Sequence, residues 1–475
     1  MSPARYSDTR RIAEGGSGHH AMKIRISINR AAVTAATLYM CLSAPVFAQQ
    51  AGGDASSAPD GTDAQRFALH GQITNIWQYH PAFRSLFQGP QSLDHNNHTN
   101  ETLDATVYGG ASPWQGGEIW LNLEMDQGIA PSDTLGAAGY VNGDGAKVGH
   151  KHPYVRLQRA FFRQTIDLGG AVQTVDPDLN QLGETQTENR VVLTAGKFSV
   201  GDVFDANKYA HDPKSDFLNW ALIDTGSFDY AADAWGYTYG ASAEWYQDAW
   251  TTRFGVFDLS TVPNGSALTP GLKQFQLDGE LERRYEAFGE GGKIAVTGFL
   301  SRGHMGSFAD ALALAALTDS VPNTADVRHY NSRLGVAFNL EQSLTDDLAL
   351  FARGGIDQDN VESYEYTDID RSFAAGLSVT GDLWGRKDDT IGAADVVNWI
   401  GHEHEAYFAA GGLGILVGDG ALPHPGPEDI LEVYYNAALI KEVHLTLDSQ
   451  IIDNPAYNRD RGPVVVVSGR LHAEI

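Results

Sequence analysis

From Gln65 onward the chain alternates apolar and polar residues with a period of two, in segments separated by clusters of Gly, Pro, Asn and Asp. That period sends successive side chains to opposite faces of an extended strand. In 67–79, Phe67, Leu69, Gly71, Ile73, Asn75, Trp77 and Tyr79 share one face, and Ala68, His70, Gln72, Thr74, Ile76 and Gln78 the other. The segment 117–126 sets Gly117, Ile119, Leu121, Leu123 and Met125 against Glu118, Trp120, Asn122, Glu124 and Asp126. Read as one strand, 234–246 opposes Trp235, Tyr237, Tyr239, Ala241, Ala243 and Trp245 to Gly236, Thr238, Gly240, Ser242 and Glu244. In 274–282, Phe275, Leu277, Gly279 and Leu281 oppose Gln274, Gln276, Asp278, Glu280 and Glu282. About 17 such segments are countable, strand boundaries being the least certain feature of such a reading. One short helix or loop segment is expected at 306–317, and long loops at 127–152 and 170–188.

So many amphipathic strands need a way to hide both edges and one apolar face. Closure into a barrel does both. The fold class expected is therefore all-β: a transmembrane antiparallel β-barrel over 65–475, of about 16 strands (16–18, an even number), with long extracellular loops and an open aqueous lumen. No stretch after residue 48 holds 18 consecutive apolar residues, so spanning helices are excluded, whereas half-apolar strands are not. A soluble β-sandwich or β-helix would alternate too. Aromatic pairs at strand ends (Trp77/Tyr79, Trp235/Tyr237, Trp245/Trp250, Tyr434/Tyr435) favour the membrane, because such rings suit the two lipid–water interfaces. So does the last strand, where Val465, Val467, Gly469, Leu471, Ala473 and Ile475 alternate with Val466, Ser468, Arg470, His472 and Glu474 to the final residue. Such an ending is like the signal by which barrel assembly machinery takes up its clients, with Ile475 where Phe is usual.

The first 48 residues have a different character. Met22-Lys23-Ile24-Arg25 opens a basic stretch, Ala31–Ala44 is apolar, and Pro45-Val46-Phe47-Ala48 precedes Gln49-Gln50. This reads as a leader and signal peptide with cleavage after Ala48 and Met22 as an alternative start. The apolar run of 14 residues falls short of the roughly 20 that span a bilayer. Residues 49–64, rich in Gly, Ala, Ser and Asp, are expected to be a disordered periplasmic extension. Cys41, the only cysteine, lies in the leader, and Tyr39 and Met40 before it argue against lipidation. The exported part thus forms no disulfide and holds no thiolate metal site.

Charge narrows the partners. The whole chain has 33 basic and 60 acidic residues; the leader takes six basic and two acidic, leaving 27 against 58, a net −31. Such a field repels nucleic acid. No nucleophile elbow, phosphate loop, His-Glu-x-x-His or dinucleotide fingerprint is present. His402-Glu403-His404 would set two imidazoles on one strand face, and His95 and His98 share an Asn-rich loop, but a polar rim explains both equally well. The carboxylate pairs Glu118/Glu124, Glu280/Glu282 and Asp388/Asp389 are what 58 acidic residues produce by chance, not a glycosidase signature. Neither catalysis, cofactor nor metal is expected.

The inward faces say more. Strand parity places Glu118, Trp120, Asn122, Glu124, Asp126, Arg163, Lys197, Glu244, Arg253, Asp278, Glu280 and Arg353 toward the lumen. Opposed charges across a lumen order its water and narrow it. Carboxylates, Asn and Arg also pair with sugar hydroxyls, and a ring can stack on a sugar's C–H face.

Several blocks together resemble the carbohydrate-selective porin family of the OprB type. They are His70-Gly71-Gln72 with Trp77-Gln78 and Pro81-Ala82-Phe83; Gly89-Pro90-Gln91-Ser92-Leu93; and Gly196-Lys197-Phe198-Ser199-Val200 running on to Phe217-Leu218-Asn219-Trp220 and Asp229–Asp233. Glu432-Val433-Tyr434-Tyr435 and Asp453–Pro463 follow in order, then Arg470-Leu471-His472-Ala473-Glu474. The resemblance spans about residue 68 to the C-terminus. It implies an outer-membrane barrel of about 16 strands that passes small neutral sugars of the glucose type by diffusion, selected by Arg and acidic residues at a constriction. It leaves the oligomeric state open and adds outer-membrane lipid and lipopolysaccharide as surroundings. A general-diffusion or cation-preferring pore, and a secreted carbohydrate-binding or hydrolytic β-protein, are the alternatives.

Overall fold

The computed structural model describes residues 65–475 apart from 146–148, 270 and 367; the leader and the extension expected at 1–64 lie outside the described residues. Sixteen antiparallel strands close into one barrel, each paired with the next and the last with the first. In order they are β1 (Phe67–His80), β2 (His98–Trp114), β3 (Gly117–Ile129), β4 (His150–Val175), β5 (Glu184–Phe198), β6 (Thr238–Gln247), β7 (Trp250–Asp258) and β8 (Phe275–Ala287). Then follow β9 (Glu290–Met305), β10 (His329–Ser343), β11 (Leu348–Asp357), β12 (Arg371–Thr380), β13 (Thr390–Trp399), β14 (Glu428–Ile440), β15 (Val443–Asp453) and β16 (Val464–Glu474). Closure runs from Gln72↔Glu474 to Tyr79↔Val467. The amphipathic C-terminal strand is thus the seam, and no sheet edge is left open along it.

Polarity is inverted relative to a soluble protein. On the outward face, Leu121 is 54% exposed, Phe254 64% and Leu447 62%, while the inward Arg333 and Arg470 are fully buried. An apolar exterior this extensive is stable only against lipid. Leu121 lies in the middle of the outward face of β3, so Leu121→Arg is expected to cost roughly 2–4 kcal/mol of folding into vesicles if it lies near the midplane. A folding titration that matches the wild type would place that face elsewhere.

Connections differ sharply between the two ends. One end has tight turns, such as Gln115-Gly116 between β2 and β3 and Asp248-Ala249 between β6 and β7. The other carries long loops: 130–149, 199–237 with a helical turn α1 (Trp220–Ile223), 306–328 with α2 (Phe308–Thr318), and 400–427 with α3 (His402–Ala409). The helix expected at 306–317 is α2, capped by the Ser307 side chain, which accepts from the Asp310 amide.

Three expectations need correction. Residues 234–237 are not strand: β6 begins at Thr238, and Trp235 and Tyr237 belong to the preceding loop, which turns into the lumen. Tyr434 is likewise inward and buried, one position out of phase with its outward neighbours Val433 and Leu431. Only Trp77, Tyr79, Trp245 and Trp250 of the aromatics proposed for the interfaces stand exposed on the outside. The segment 170–188 is no loop of the long-loop end. It is mostly the hairpin of β4 and β5, at the end of the tight turns.

Candidate functional site

The segments 130–145 and 199–237 fold into the barrel, and inward strand side chains hold them there by their backbone. Glu428 on β14 accepts from the amides of Ala138 (3.0 Å) and Gly139 (2.7 Å). Four residues along the same strand face, Glu432 accepts from Leu218 (2.5 Å) and Asn219 (2.9 Å). Gln78 and Gln450 both donate to the Val141 carbonyl at 2.9 Å. Across the barrel, Glu280 accepts from the Asp205 amide (3.0 Å) and Gln276 donates to the Asp229 carbonyl (2.8 Å). Arg353 donates to the carbonyls of Leu222 (2.9 Å) and Asp205 (3.0 Å). These bonds give partners to backbone groups that are buried inside the barrel.

The apolar part of the long loop packs inside the barrel, not outside it. Trp220 of α1 is sandwiched between Tyr140 (centroids 5.2 Å, planes 11° apart) and Tyr366 (4.4 Å, 19°). Phe217 meets Phe351 and Tyr434 edge-on or tilted at 5.6 and 4.9 Å. Such ring pairs contribute about 0.5–1.5 kcal/mol each beyond their burial. This filling occupies the side of the lumen bounded by the later strands.

On the wall of β3 and β4 the inward side chains keep exposed surface. Arg156, Arg159 and Arg163 stand in a row there. Arg159 and Arg163 share strand parity, but Arg156 joins them only because Gln158 is an extra residue: Asn122 pairs with Arg159 and Leu123 with Leu157. The Arg156 guanidinium lies 3.4 Å over the Trp235 ring and 3.5 Å from Asp233. Trp235 donates its Nε1–H to Tyr154 Oη at 2.9 Å. Arg159 grips Asp202 with two bonds, 2.8 and 2.6 Å, and lies 4.9 Å over Tyr237. Burial alone would raise the Asp202 pKa, but Arg159 beside it outweighs that and holds the carboxyl below its usual range. Arg163 reaches Glu118 at 3.2 Å, and Glu124 accepts from Thr106 at 3.0 Å and Gln158 at 3.2 Å.

The residues named from parity fall into three groups. Glu124, Asp126 and Arg163 are inward and partly open, on the same wall as the arginine row. Glu118, Trp120 and Asn122 are inward but covered, with Trp120 Nε1 donating to Glu118 at 2.9 Å. Glu244, Arg253 and Glu280 form one ion cluster on β6–β8: Arg253 meets Glu244 at 3.0 Å, Glu280 at 2.6 Å and Glu282 at 2.8 Å. Asp278 and Arg353 are inward and buried beneath the inserted loop. Lys197 departs from the expected parity. It shares its phase with the outward Leu193 and Ala195, yet it follows Gly196 at φ 140° and its Nζ lies 3.3 Å from Asp233. The sequence reading does not place Arg156, Arg159, Tyr154, Trp235 or Tyr237 in the lumen. Arg159 had the parity signal; the bulge hid Arg156, and the misread strand start hid the two rings.

His402 and His404 lie on α3, not on a strand, with His402 exposed and His404 fully buried. Burial opposes its charge, but Asp370 (3.0 Å) and Asp368 (3.6 Å) push the His404 pKa up to about 9. It is an ion-paired imidazolium stacked on Phe308 of α2 at 4.2 Å.

A closed barrel with an apolar exterior, charged inward faces and loops folded into its lumen defines a membrane channel of the porin class. A family model, "Carbohydrate-selective porin, OprB family", matches residues 91–474. The chain belongs to that family: it is an outer-membrane porin for the passive diffusion of small carbohydrates. Among solved structures, a high-pH form of Pseudomonas putida OprB superposes with TM-score 0.66 at 15% identity, over 86% of this chain and 94% of that one. The low-pH form of the same protein gives 0.47 at 11%, covering 86% and 93%. The outer-membrane channel DcaP of Acinetobacter baumannii gives 0.47 at 9%, covering 86% and 97%. No curated protein matches by sequence.

Proposed function

We propose that sugars are selected along the wall of β3 and β4, by Arg156 and Arg159 together with Trp235, Tyr237 and Tyr154, and by the carboxylates Glu124 and Asp126. The observation that carries this is the row Arg156–Arg159–Arg163, in which each guanidinium is paired with an acid and lies over a ring, with surface left toward the lumen. Fixed donors and acceptors side by side suit vicinal hydroxyls, and paired charges avoid the strong binding that would trap a cargo. Transport involves no chemical step. The tight-turn end faces the periplasm and the long loops face outside, as barrels insert. Residues 1–48 serve as the export leader, 49–64 as a periplasmic extension, and β16 as the strand presented to the assembly machinery.

Current block by sugar tests it. In planar bilayers, maltose lowers the wild-type conductance, and Arg156→Leu is expected to weaken that block by about tenfold, the worth of one charge-assisted hydrogen bond. A variant that blocks like the wild type removes Arg156 from the site. A wild-type channel that no sugar blocks, even at high concentration, makes this a general-diffusion pore.

A further inference from the structure

β4 and β5 outrun their neighbours. β3 pairs with β4 only as far as Gln164, and β6 with β5 only as far as Arg190. From Gly169↔Asn189 to Val175↔Glu184 the two strands pair with each other alone, a ribbon that leaves the barrel wall at the tight-turn end. The ribbon has a built bend. Gly169 and Gly170 have φ of 103° and 95°, and the ladder shifts register on both sides of Gly169. Side chains other than glycine rarely adopt that conformation, so the bend is specified by sequence.

Past the bend the tip turns back to the barrel. It is a compact unit, with Asp178 and Gln181 exchanging backbone bonds of 3.0 and 3.1 Å and Gln181 Nε2 donating to the Asp176 carbonyl at 2.8 Å. Four bonds then dock it. Arg163 donates to the Asn180 carbonyl at 2.8 Å, and the Leu182 amide donates to Glu118 at 3.3 Å. The Gln65 amide donates to the Gly183 carbonyl at 2.8 Å, and the Gly183 amide to Gln65 Oε1 at 2.9 Å. Leu182 is buried in the same apolar cluster as Trp120. Glu118, Trp120 and Arg163 all face the lumen, so the tip lies across part of its mouth.

We propose that residues 166–189 are a flap over the tight-turn mouth, latched by Glu118 and Arg163, and that it sets the largest solute that passes. The flap acts in series with the arginine wall, and Arg163 belongs to both. A solute that hydrogen-bonds Arg163 competes with the Asn180 carbonyl for it. This rests on the reading of the lumen as the transport route.

Two variants test it with neutral poly(ethylene glycols) of graded size, which need no sugar site. The first replaces Gly169–Thr187 with Asn-Gly, keeping the Asp167↔Arg190 pair and every strand-to-strand contact of the wall. The second, Leu182→Asp, sets another carboxylate beside Glu118 and leaves the ribbon's length unchanged. Both are expected to admit larger polymers and to raise single-channel conductance by roughly twofold, as widening a constriction does. If both keep the wild-type polymer cut-off and conductance, the flap does not limit passage and the proposal is wrong. A shifted cut-off in a channel that sugars do not block supports the flap and overturns the sugar site.

Discussion

Replacing Arg353 with alanine destabilises the barrel by about 3–5 kcal/mol and opens the channel at the same time, because one buried cation holds the inserted loop at two points. Its guanidinium reaches the carbonyls of Leu222 and Asp205, 17 residues apart in the loop 199–237, and Nε lies 4.0 Å from Asp205 Oδ1. Alanine leaves both carbonyls without that donor and a cavity beneath α1. The Asp205 carboxylate keeps its bonds from Thr225 (2.7 Å to the amide) and Asn339 (2.9 Å), so the loop is expected to loosen around Leu222 first. Lysine retains the charge but cannot span two divergent acceptors, and Arg353→Lys should recover less than half of the loss. Denaturant unfolding in detergent reads the stability, and single-channel recording reads the opening. Wild-type conductance in a correctly folded alanine variant would mean that the loop stays seated without Arg353.

Arg333→Met is expected to cost as much, about 3–5 kcal/mol, by a different route. Arg333 is fully buried among three carboxylates: Asp357 at 2.6 Å, Asp370 at 3.1 Å and Asp229 at 3.8 Å. These come from β11, from the loop before β12 and from the inserted loop, so one side chain ties the wall to two loops. Methionine fills the space but leaves the acids facing one another. Arg333→Met with Asp370→Asn should therefore be less unstable than the two single changes added together. The same node gives a pH dependence. His404 shares Asp370, and its folded pKa of about 9 exceeds its ordinary value of 6.5. A raised pKa means that its stabilisation is complete below about 6.5 and is lost as pH rises through about 9, up to about 3 kcal/mol by linkage. Unfolding midpoints taken between pH 6 and 10.5 should fall in the wild type and stay level in His404→Gln. Equal slopes in the two proteins would remove His404 from the network.

The strands were legible because lipid and water impose opposite demands on alternate residues. In 117–126 and 274–282 every inward and outward assignment holds, and the even count of 16 follows from closure. Legibility failed where one residue broke the phase. Gln158 conceals Arg156, and the approach to β6 makes Trp235 and Tyr237 look like interface rings. It failed again for contacts between residues far apart in sequence. Arg353 was placed on the right face, but nothing near it in sequence shows that its partners are backbone carbonyls of residues 205 and 222. The segment 170–188 reads as a loop because its polar, Gly-containing sequence lacks a continuous apolar face, which a ribbon standing off the wall does not need.

The way the inserted loops are fastened bears on how such a pore can change its cargo. Glu428, Glu432, Gln450, Gln276 and Arg353 grip main-chain atoms, which every residue type but proline supplies alike. On the proposed reading the rings that meet the solute, Trp235 and Tyr237, rest on Arg156, Arg159 and Tyr154, apart from these five side chains that hold the loops by their backbone. The barrel thus behaves as a socket and the loop as an interchangeable insert. Substitutions at the lining positions can redirect preference among sugars while the seat stays unaltered, and a new specificity need not cost the fold.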